Sequence, residues 1–337
     1  MESLVKDIPR VRLGHTPTPL ELLNNVSAEF GTNVWIKRDD CTGLAFGGNK
    51  TRQLDFYIGQ AVHQGADTLL TTGAVQSNHV RTTVAAARKL GLEVEVQLEH
   101  RVEREQPEYH NSGNPYLVRL MGAKIIFYPV GEDEDGADRA LEKRAAELEA
   151  EGRRPFVIPL SNAHTPYGAM GYVEGAEELL DQLRQRGIEP VRFIVPTGSA
   201  STHSGFLLGM RAQGCDVPVH GVCVRRAGDL QAQRVSKKLH AVIDALGVDI
   251  DIPDNAIICD DSKLAPGYGL PNEETIAAIR YMARREGILL DPTYSGKTFS
   301  LLLDLLRRGE FGKGDHVVFL HTGGAVSLFG YPELVNQ

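Results

Sequence analysis

The chain has 337 residues, 42% of them apolar and 24% charged, with a formal net charge of −8. That length accommodates two domains or one large α/β unit with a substantial core, and no Lys/Arg cluster is dense enough to track a phosphate backbone. No run reaches the ~18 consecutive apolar residues of a membrane span, so neither nucleic acid nor membrane is an expected partner.

The first residues, Met1 to Arg10, lack the apolar core and cleavage site of a signal peptide, which makes the cytoplasm the expected compartment. Trp35 to Asp40 reads as a short strand running into a turn. Gly47-Gly48-Asn49-Lys50 follows, and then Arg52 to Ile58 at helical spacing, so Lys50 falls in a first helical turn. A cation is poorly placed at the positive end of a helix, and an amine used chemically needs its pKa lowered. Lys50 there is a candidate for holding an aldehyde cofactor as a Schiff base; the alternative is a surface lysine after a turn.

Further along, Thr68 to Thr72 reads as a strand and Asn78 to Leu90 as a helix. Strands are expected at 94–98, 125–128, 155–158, 193–195, 217–222, 256–259 and 317–320, and helices at 136–151, 168–186, 229–246 and 273–285. Repeated β-α units argue parallel sheets covered on both faces, and the strand count exceeds one typical sheet. The fold expected is α/β, with two open twisted, mostly parallel sheets covered by helices. Its cofactor would lie in the cleft between a larger domain (1–47 plus 166–337) and a smaller one (48–165). The polar stretch from Glu99 to Asn114 reads as an exposed loop with solvated charges. Cys41, Cys215, Cys223 and Cys259 are scattered as free thiols, and no metal-ligand spacing is present.

Ligands of open parallel sheets bind beyond the carboxyl ends of the strands, and the unusual residues concentrate there. Thr197-Gly198-Ser199-Ala200-Ser201-Thr202-His203-Ser204-Gly205 follows a strand and opens a helix; its small and hydroxyl residues suit a phosphate cup, although a plain Ser/Thr-rich N-cap loop would look the same. In Gln76-Ser77-Asn78-His79, Ser77 or Asn78 caps a helix, while Asn78 is placed to bond a cofactor hydroxyl and Ser77 to meet substrate or relay a proton. Tyr268 and Tyr294, set beside Gly267, Gly269 and Gly296, are either turn-packing aromatics or ligand walls. Thr322, ending the last strand, is placed to face a ligand, whereas His321 reads as structural.

In combination and order these motifs, with Ala265 to Asn272 and Asp291 to Lys297, resemble the pyridoxal-phosphate enzymes comprising 1-aminocyclopropane-1-carboxylate deaminase and D-cysteine desulfhydrase, of the tryptophan-synthase-β-like fold (fold type II). The likeness runs from about Pro17 to Tyr331. It implies pyridoxal 5'-phosphate as cofactor, Lys50 as its Schiff-base lysine, and Asn78 at its 3-hydroxyl. Asn49 and the loop Thr197, Gly198, Ser199, Ala200, Ser201 and Thr202 would hold the cofactor and its phosphate, and Thr322 would face the pyridine nitrogen. Ser77, Asn78, His79, Tyr268, Tyr294 and Ser295 would surround a small amino-acid substrate, with Lys50, Ser77, Tyr294 and Tyr268 as the catalytic set. A homodimer is implied as well.

Ser295 and Thr322 stand where cyclopropane-opening deaminases have Glu and Leu, which favours β-elimination. The first expectation is therefore elimination from a β-substituted alanine to pyruvate and ammonia, with D-cysteine releasing sulfide. The nearest rival is L-cysteate sulfo-lyase, with sulfite leaving and Thr51, Asn162, His164 or Thr165 as sulfonate donors. Deamination of 1-aminocyclopropane-1-carboxylate, a non-catalytic pyridoxal-phosphate carrier or amino-acid-binding protein, and an NAD-binding protein rank lower. No GxGxxG follows the first strand.

Overall fold

The computed structural model describes residues 3–160 and 164–335. In chain order its strands and helices are β1 (Leu20–Leu22), α1 (Asn24–Phe30), β2 (Asn33–Arg38), α2 (Asn49–His63), β3 (Thr68–Ala74), α3 (Asn78–Lys89), β4 (Glu93–Glu99), α4 (Pro107–Asn111), α5 (Asn114–Leu120), β5 (Lys124–Tyr128), α6 (Glu134–Ala150), β6 (Pro155–Ile158), α7 (Tyr167–Arg186), β7 (Pro190–Thr197), α8 (Ser201–Ala212), β8 (Val219–Cys223), α9 (Gly228–Leu246), β9 (Ile258–Asp260), α10 (Glu273–Glu286), α11 (Ser295–Arg307) and β10 (His316–His321).

The strands form two sheets. One has six strands in the order β1-β2-β10-β7-β8-β9, the other four in the order β5-β4-β3-β6. Every pairing is parallel except β1 with β2, so helical crossovers must cover both faces. All seven residues of β3 are buried, as expected of a central strand in such a sheet.

The helix starts are written in local chemistry. Ser77 Oγ accepts from Val80 N at α3, Asp133 Oδ1 from Gly136 N at α6, and Asn272 Oδ1 from Thr275 N at α10. α2 begins differently. Gly47 (φ 66°) and Gly48 (φ 117°) lie in a region closed to ordinary L-residues, and a Cβ at Gly47 would fall 2.2 Å from Asp40 O. Only glycine lets the chain fold tightly enough to start a helix at Asn49.

An ionic cluster fixes α2 from beneath. Arg52 grips Asp39 through Nε and Nη2, both at 3.0 Å, and also Glu178 of α7; Tyr172 OH donates to Asp39 Oδ2 at 2.7 Å. Asp39, Arg52 and Tyr172 are nearly fully buried, so the Arg52 and Asp39 charges depend on each other, and losing one would cost on the order of 3–5 kcal/mol. No helix among the described residues is long and apolar enough to cross a membrane.

Candidate active site

A cavity lies where the carboxyl ends of β3, β7 and β10 converge. Its wall includes Asn49, Lys50, Ser77, Asn78, His79, Gly198, Ser199, Tyr268, Tyr294 and Thr322. A smaller recess, lined by Lys50, Gly198, Ser199, Ala200, Thr202 and His203, continues to the N-terminus of α8.

Lys50 reaches the cavity from the first turn of α2. Its Nζ donates to Gln53 Oε1 at 3.1 Å, and burial lowers its ammonium to about 8. No carboxylate within ion-pairing distance opposes that shift, so a neutral amine is accessible near physiological pH.

Beside it, Thr202 Oγ1 accepts from Asn49 Nδ2 at 2.9 Å and from Gln53 Nε2 at 3.0 Å. Both of its lone pairs are thereby used, which leaves the hydroxyl hydrogen to donate into the recess. Ala200 holds φ 73°, unusual for a residue with a side chain, and turns the chain so that α8 begins there. Free first-turn amides, the helix dipole and the Thr202 hydroxyl make an anion cradle. Gln53, which the sequence reading did not single out, joins that cradle to the amine.

Asn78 is oriented by its neighbours. Its Oδ1 accepts from Arg81 Nη1 (2.8 Å) and Asn114 Nδ2 (3.1 Å), while Arg81 Nη2 donates to Gly47 O at 2.8 Å. The Asn78 amide nitrogen is therefore the end left to donate to a ligand. Ser77 caps α3 with its oxygen and keeps its hydrogen free. At His79, the single hydroxyl hydrogen of Thr71 goes to Ile158 O (3.0 Å), so Thr71 accepts from His79 Nε2 (2.9 Å) and Nδ1 is unprotonated. Burial, then the charges of Lys50 and Arg101, push His79 down to about 3, and the ring stays neutral.

Across the cavity the Tyr268 and Tyr294 hydroxyls are 2.7 Å apart, with the rings edge to face. Burial, then Tyr268, holds the Tyr294 phenol protonated far above its usual range. Two supports set this pair: Asp291 Oδ2 accepts from Thr293 N and Tyr294 N, both at 2.9 Å, and Lys297 Nζ holds the loop before Tyr268 through Leu264 O and Gly267 O.

Several expected residues stand elsewhere. Ser295 is fully buried; its Oγ donates to Asp291 Oδ1 at 2.6 Å and accepts from Asp291 N at 2.8 Å, and it does not line the cavity. Of the two positions taken to separate elimination from ring opening, only Thr322 is on the wall. Thr51 is buried against Thr42 (3.1 Å), one helical step away from Lys50. His164 and Thr165 are exposed, and His164 lies 3.5 Å from Glu142. Asn162 falls outside the described residues. Thr197 uses its Oγ1 to accept from Gln231 Nε2 at 2.8 Å, behind the cradle.

The polar stretch from Glu99 is not solvated as expected. Glu99 is fully buried, and Arg101 binds it through Nε and Nη2, both at 2.7 Å. Arg101, Glu134 and Arg225 are cavity wall. Glu134, at the start of α6, is bound by Arg225 and by Arg226 (2.9 Å) and Arg234 (2.9 Å) of the opposite side. Those guanidiniums hold its carboxyl down to about 2 against burial. Arg226 also donates to Gly198 O and Arg234 to Leu160 O, so the same groups brace the anion loop and the small-sheet side.

A desolvated amine joined through Gln53 to an anion cradle, with the oriented Asn78 amide on the same wall, defines a site for an aldehyde cofactor carrying a phosphate. The residues present fit pyridoxal phosphate. The family model "Pyridoxal-phosphate dependent enzyme" matches residues 11–323, and the chain belongs to that family. It is 40% identical to a "D-cysteine desulfhydrase" of Yersinia pestis (strain Pestoides F) over 98% of both chains, and 40% identical to one of Salmonella paratyphi C (strain RKS4594) over 96% of both. A crystal structure titled as an "ACC deaminase homologue" superposes with a TM-score of 0.87 at 36% identity, covering 99% of this chain and 97% of that one.

Proposed function

We propose that the protein is a D-cysteine desulfhydrase, converting D-cysteine and water to pyruvate, ammonia and sulfide. The carrying observation is the Lys50 amine, lowered to about 8 and set between the α8 cradle and the α3 N-terminus. Near-full-length relatives bearing that name supply the substrate.

In this reading the first turn of α8 with Thr202 would hold the cofactor phosphate, the Asn78 amide would donate to the ring hydroxyl, and Thr322 would face the ring nitrogen. Bound pyridoxal phosphate supplies an electron sink for the pair released when the substrate's α C–H bond breaks. The protein's share is binding and proton transfer. The free amides at the start of α3, with the Ser77 hydroxyl, receive the substrate carboxylate. Lys50 takes the α-proton, because its amine is neutral near pH 8 whereas the Tyr294 phenol stays protonated. The Tyr268–Tyr294 pair, with one hydroxyl hydrogen left over from their mutual bond, meets the departing sulfur. Residues 48–165 form the smaller domain and the remainder the larger. The homodimer that the family resemblance implies is tested by light scattering.

L-cysteate sulfo-lyase is the second reading, favoured by the Arg101 and Arg225 guanidiniums on the wall. The purified protein is to be offered D-cysteine, L-cysteine, L-cysteate and 1-aminocyclopropane-1-carboxylate separately. Sulfide and pyruvate from D-cysteine are expected. Sulfite from L-cysteate alone would replace the first reading by the second, and 2-oxobutyrate would refute both.

A further inference from the structure

One buried cation beside the site faces no anion. Arg81, in the first turn of α3, is 1% exposed. Its Nη1 donates to Asn78 Oδ1 at 2.8 Å and to Asn114 Oδ1 at 2.7 Å, its Nη2 donates to Gly47 O at 2.8 Å, and its Nε is buried without a partner. Every one of these acceptors is neutral. Arg52 and Arg101, comparably buried, each grip a carboxylate. Among the described residues no carboxylate pairs with Arg81, and burial alone lowers it to about 10, which leaves it charged at neutral pH. A cation is also poorly placed at the positive end of a helix, so two penalties fall on the same group.

The three acceptors lead to the cavity. Asn114 is itself fixed: its N donates to Gln76 Oε1 and its Nδ2 to Gln76 O, both at 3.0 Å, which turns its Oδ1 toward Arg81. Asn78 Oδ1 takes donors from Arg81 and Asn114 together, so the orientation of its carboxamide is settled, and the amide nitrogen is the end it offers to the cavity it lines. Gly47 belongs to the glycine turn that starts the helix of Lys50. One guanidinium thus ties the amide donor of α3 to the turn that carries the amine. Bonding three neutral oxygens does not require a full charge, and a buried charge is costly when nothing opposes it.

A charge kept in such a place is offset by an anion that arrives with the ligand. The Asn78 carboxamide lies between Arg81 and the cavity, and a guanidinium pulling on its oxygen makes its N–H a stronger donor. The cofactor phosphate belongs to the α8 cradle, so the oxygen that meets this donor is a different one. We propose that Arg81 is a positioning residue of the cofactor site: acting through the Asn78 carboxamide, its guanidinium holds the ring oxygen of the cofactor as an anion. The inference rests on the reading above in placing that ring oxygen at Asn78.

Cofactor binding tests it without turnover. The cofactor-free protein is titrated with pyridoxal phosphate and with its analogue lacking the ring hydroxyl, and the ratio of the two dissociation constants is compared between wild type and variants. The wild type is expected to prefer pyridoxal phosphate. Arg81→Gln, which keeps a donor for Asn78 and removes the charge, is expected to weaken pyridoxal phosphate at least ~10-fold and the analogue no more than about twofold. It should also move part of the bound cofactor's absorption to the shorter wavelengths of the protonated ring oxygen. Arg81→Lys keeps the charge and is expected to retain the wild-type preference within about threefold; its loss there overturns the proposal even if Arg81→Gln does not fold. Equal weakening of both ligands in Arg81→Gln, as a brace on Gly47 or α3 alone would give, overturns it as well. Asn78→Ala separates this from the reading it rests on. Preference lost in Asn78→Ala but kept in Arg81→Gln refutes the role of Arg81 and leaves the ring oxygen at Asn78, whereas a preference that survives Asn78→Ala refutes that placement too.

Discussion

Replacing Lys50 by methionine in the cofactor-free protein is expected to stabilise it at neutral pH and to lose that advantage in alkali. Burial lowers the Lys50 ammonium from 10.5 to about 8. The folded-state pKa is therefore below the unfolded one, and between pH 8 and 10.5 the unfolded chain binds more protons. Stability of the wild-type protein must rise with pH across that window. Integrating the linkage gives a charge penalty of about 3 kcal/mol at pH 7.5, about 2 kcal/mol at pH 9 and under about 0.5 kcal/mol at pH 10.5.

Methionine removes the penalty but also the hydrogen bond to Gln53 Oε1, which contributes about 1 kcal/mol. The net gain of Lys50→Met is then about 2 kcal/mol at pH 7.5, about 1 kcal/mol at pH 9, and nil or slightly negative at pH 10.5. Urea unfolding of both cofactor-free proteins at these three pH values measures it directly. A difference that stays constant with pH would refute the claim that Lys50 is held as a desolvated, unpaired amine, and with it the basis for assigning it the α-proton.

Three further outcomes follow from the same contacts. Glu134→Gln is expected to cost about 3 kcal/mol at pH 7, because the carboxyl is held at about 2 by the arginines; that contribution is present above pH 4.5 and is lost as pH falls toward 2, so urea unfolding should show a deficit of only about 1.5 kcal/mol at pH 3. Ser295→Ala breaks two buried bonds to Asp291 and is expected to lower stability by about 1–3 kcal/mol while leaving KM for D-cysteine within about twofold; a large KM change would return Ser295 to the substrate wall. Tyr294→Phe keeps the ring and removes the hydroxyl bonded to Tyr268, so kcat is expected to drop about 10²-fold or more with the cofactor retained, and unchanged sulfide release would remove the pair from proton transfer.

Much of the fold was legible because its signals are local. The alternation of strand-length and helix-length apolar patterns located β3 to β8 and β10 and the long helices to within a few residues, and it required a second sheet. The misses have physical reasons. The run now in α11 begins at Ser295 inside what read as a functional loop; its helix is started not by its own residue pattern but by Asp291, whose carboxylate collects the amides of Thr293, Tyr294 and Ser295. β9 was expected from Ala256, but a 3-10 turn over Asp254–Ala256 delays it to Ile258. β1 and α1 are too short to show a period.

The site divides along the same line between local and distant causes. Lys50, Ser77, Asn78 and the Thr197 to Thr202 loop were visible because helix starts are coded by neighbouring residues. Thr51 and Ser295 adjoin such starts in sequence, and one step along a helix turns a side chain by about 100°, which sends Thr51 to Thr42 and Ser295 to Asp291 rather than to the cavity. Arg101, Glu134 and Arg225 failed in the opposite sense. Arg101 sits in the stretch from Glu99 to Asn114 that reads as solvated, and Glu134 and Arg225 were not singled out; those two are held by opposite charges distant in the chain, Glu134 being 91 residues from Arg225. A charged residue is inexpensive to bury only when its partner is present, and no periodicity announces a partner. Asn49, Lys50, Asn78, Ser199 and Thr322, singled out from sequence, do converge on one cavity. The rest of the wall is set by ion pairs between α6, the strand end at Arg101 and the segment after β8, and pairs between distant residues leave no local signal in the sequence.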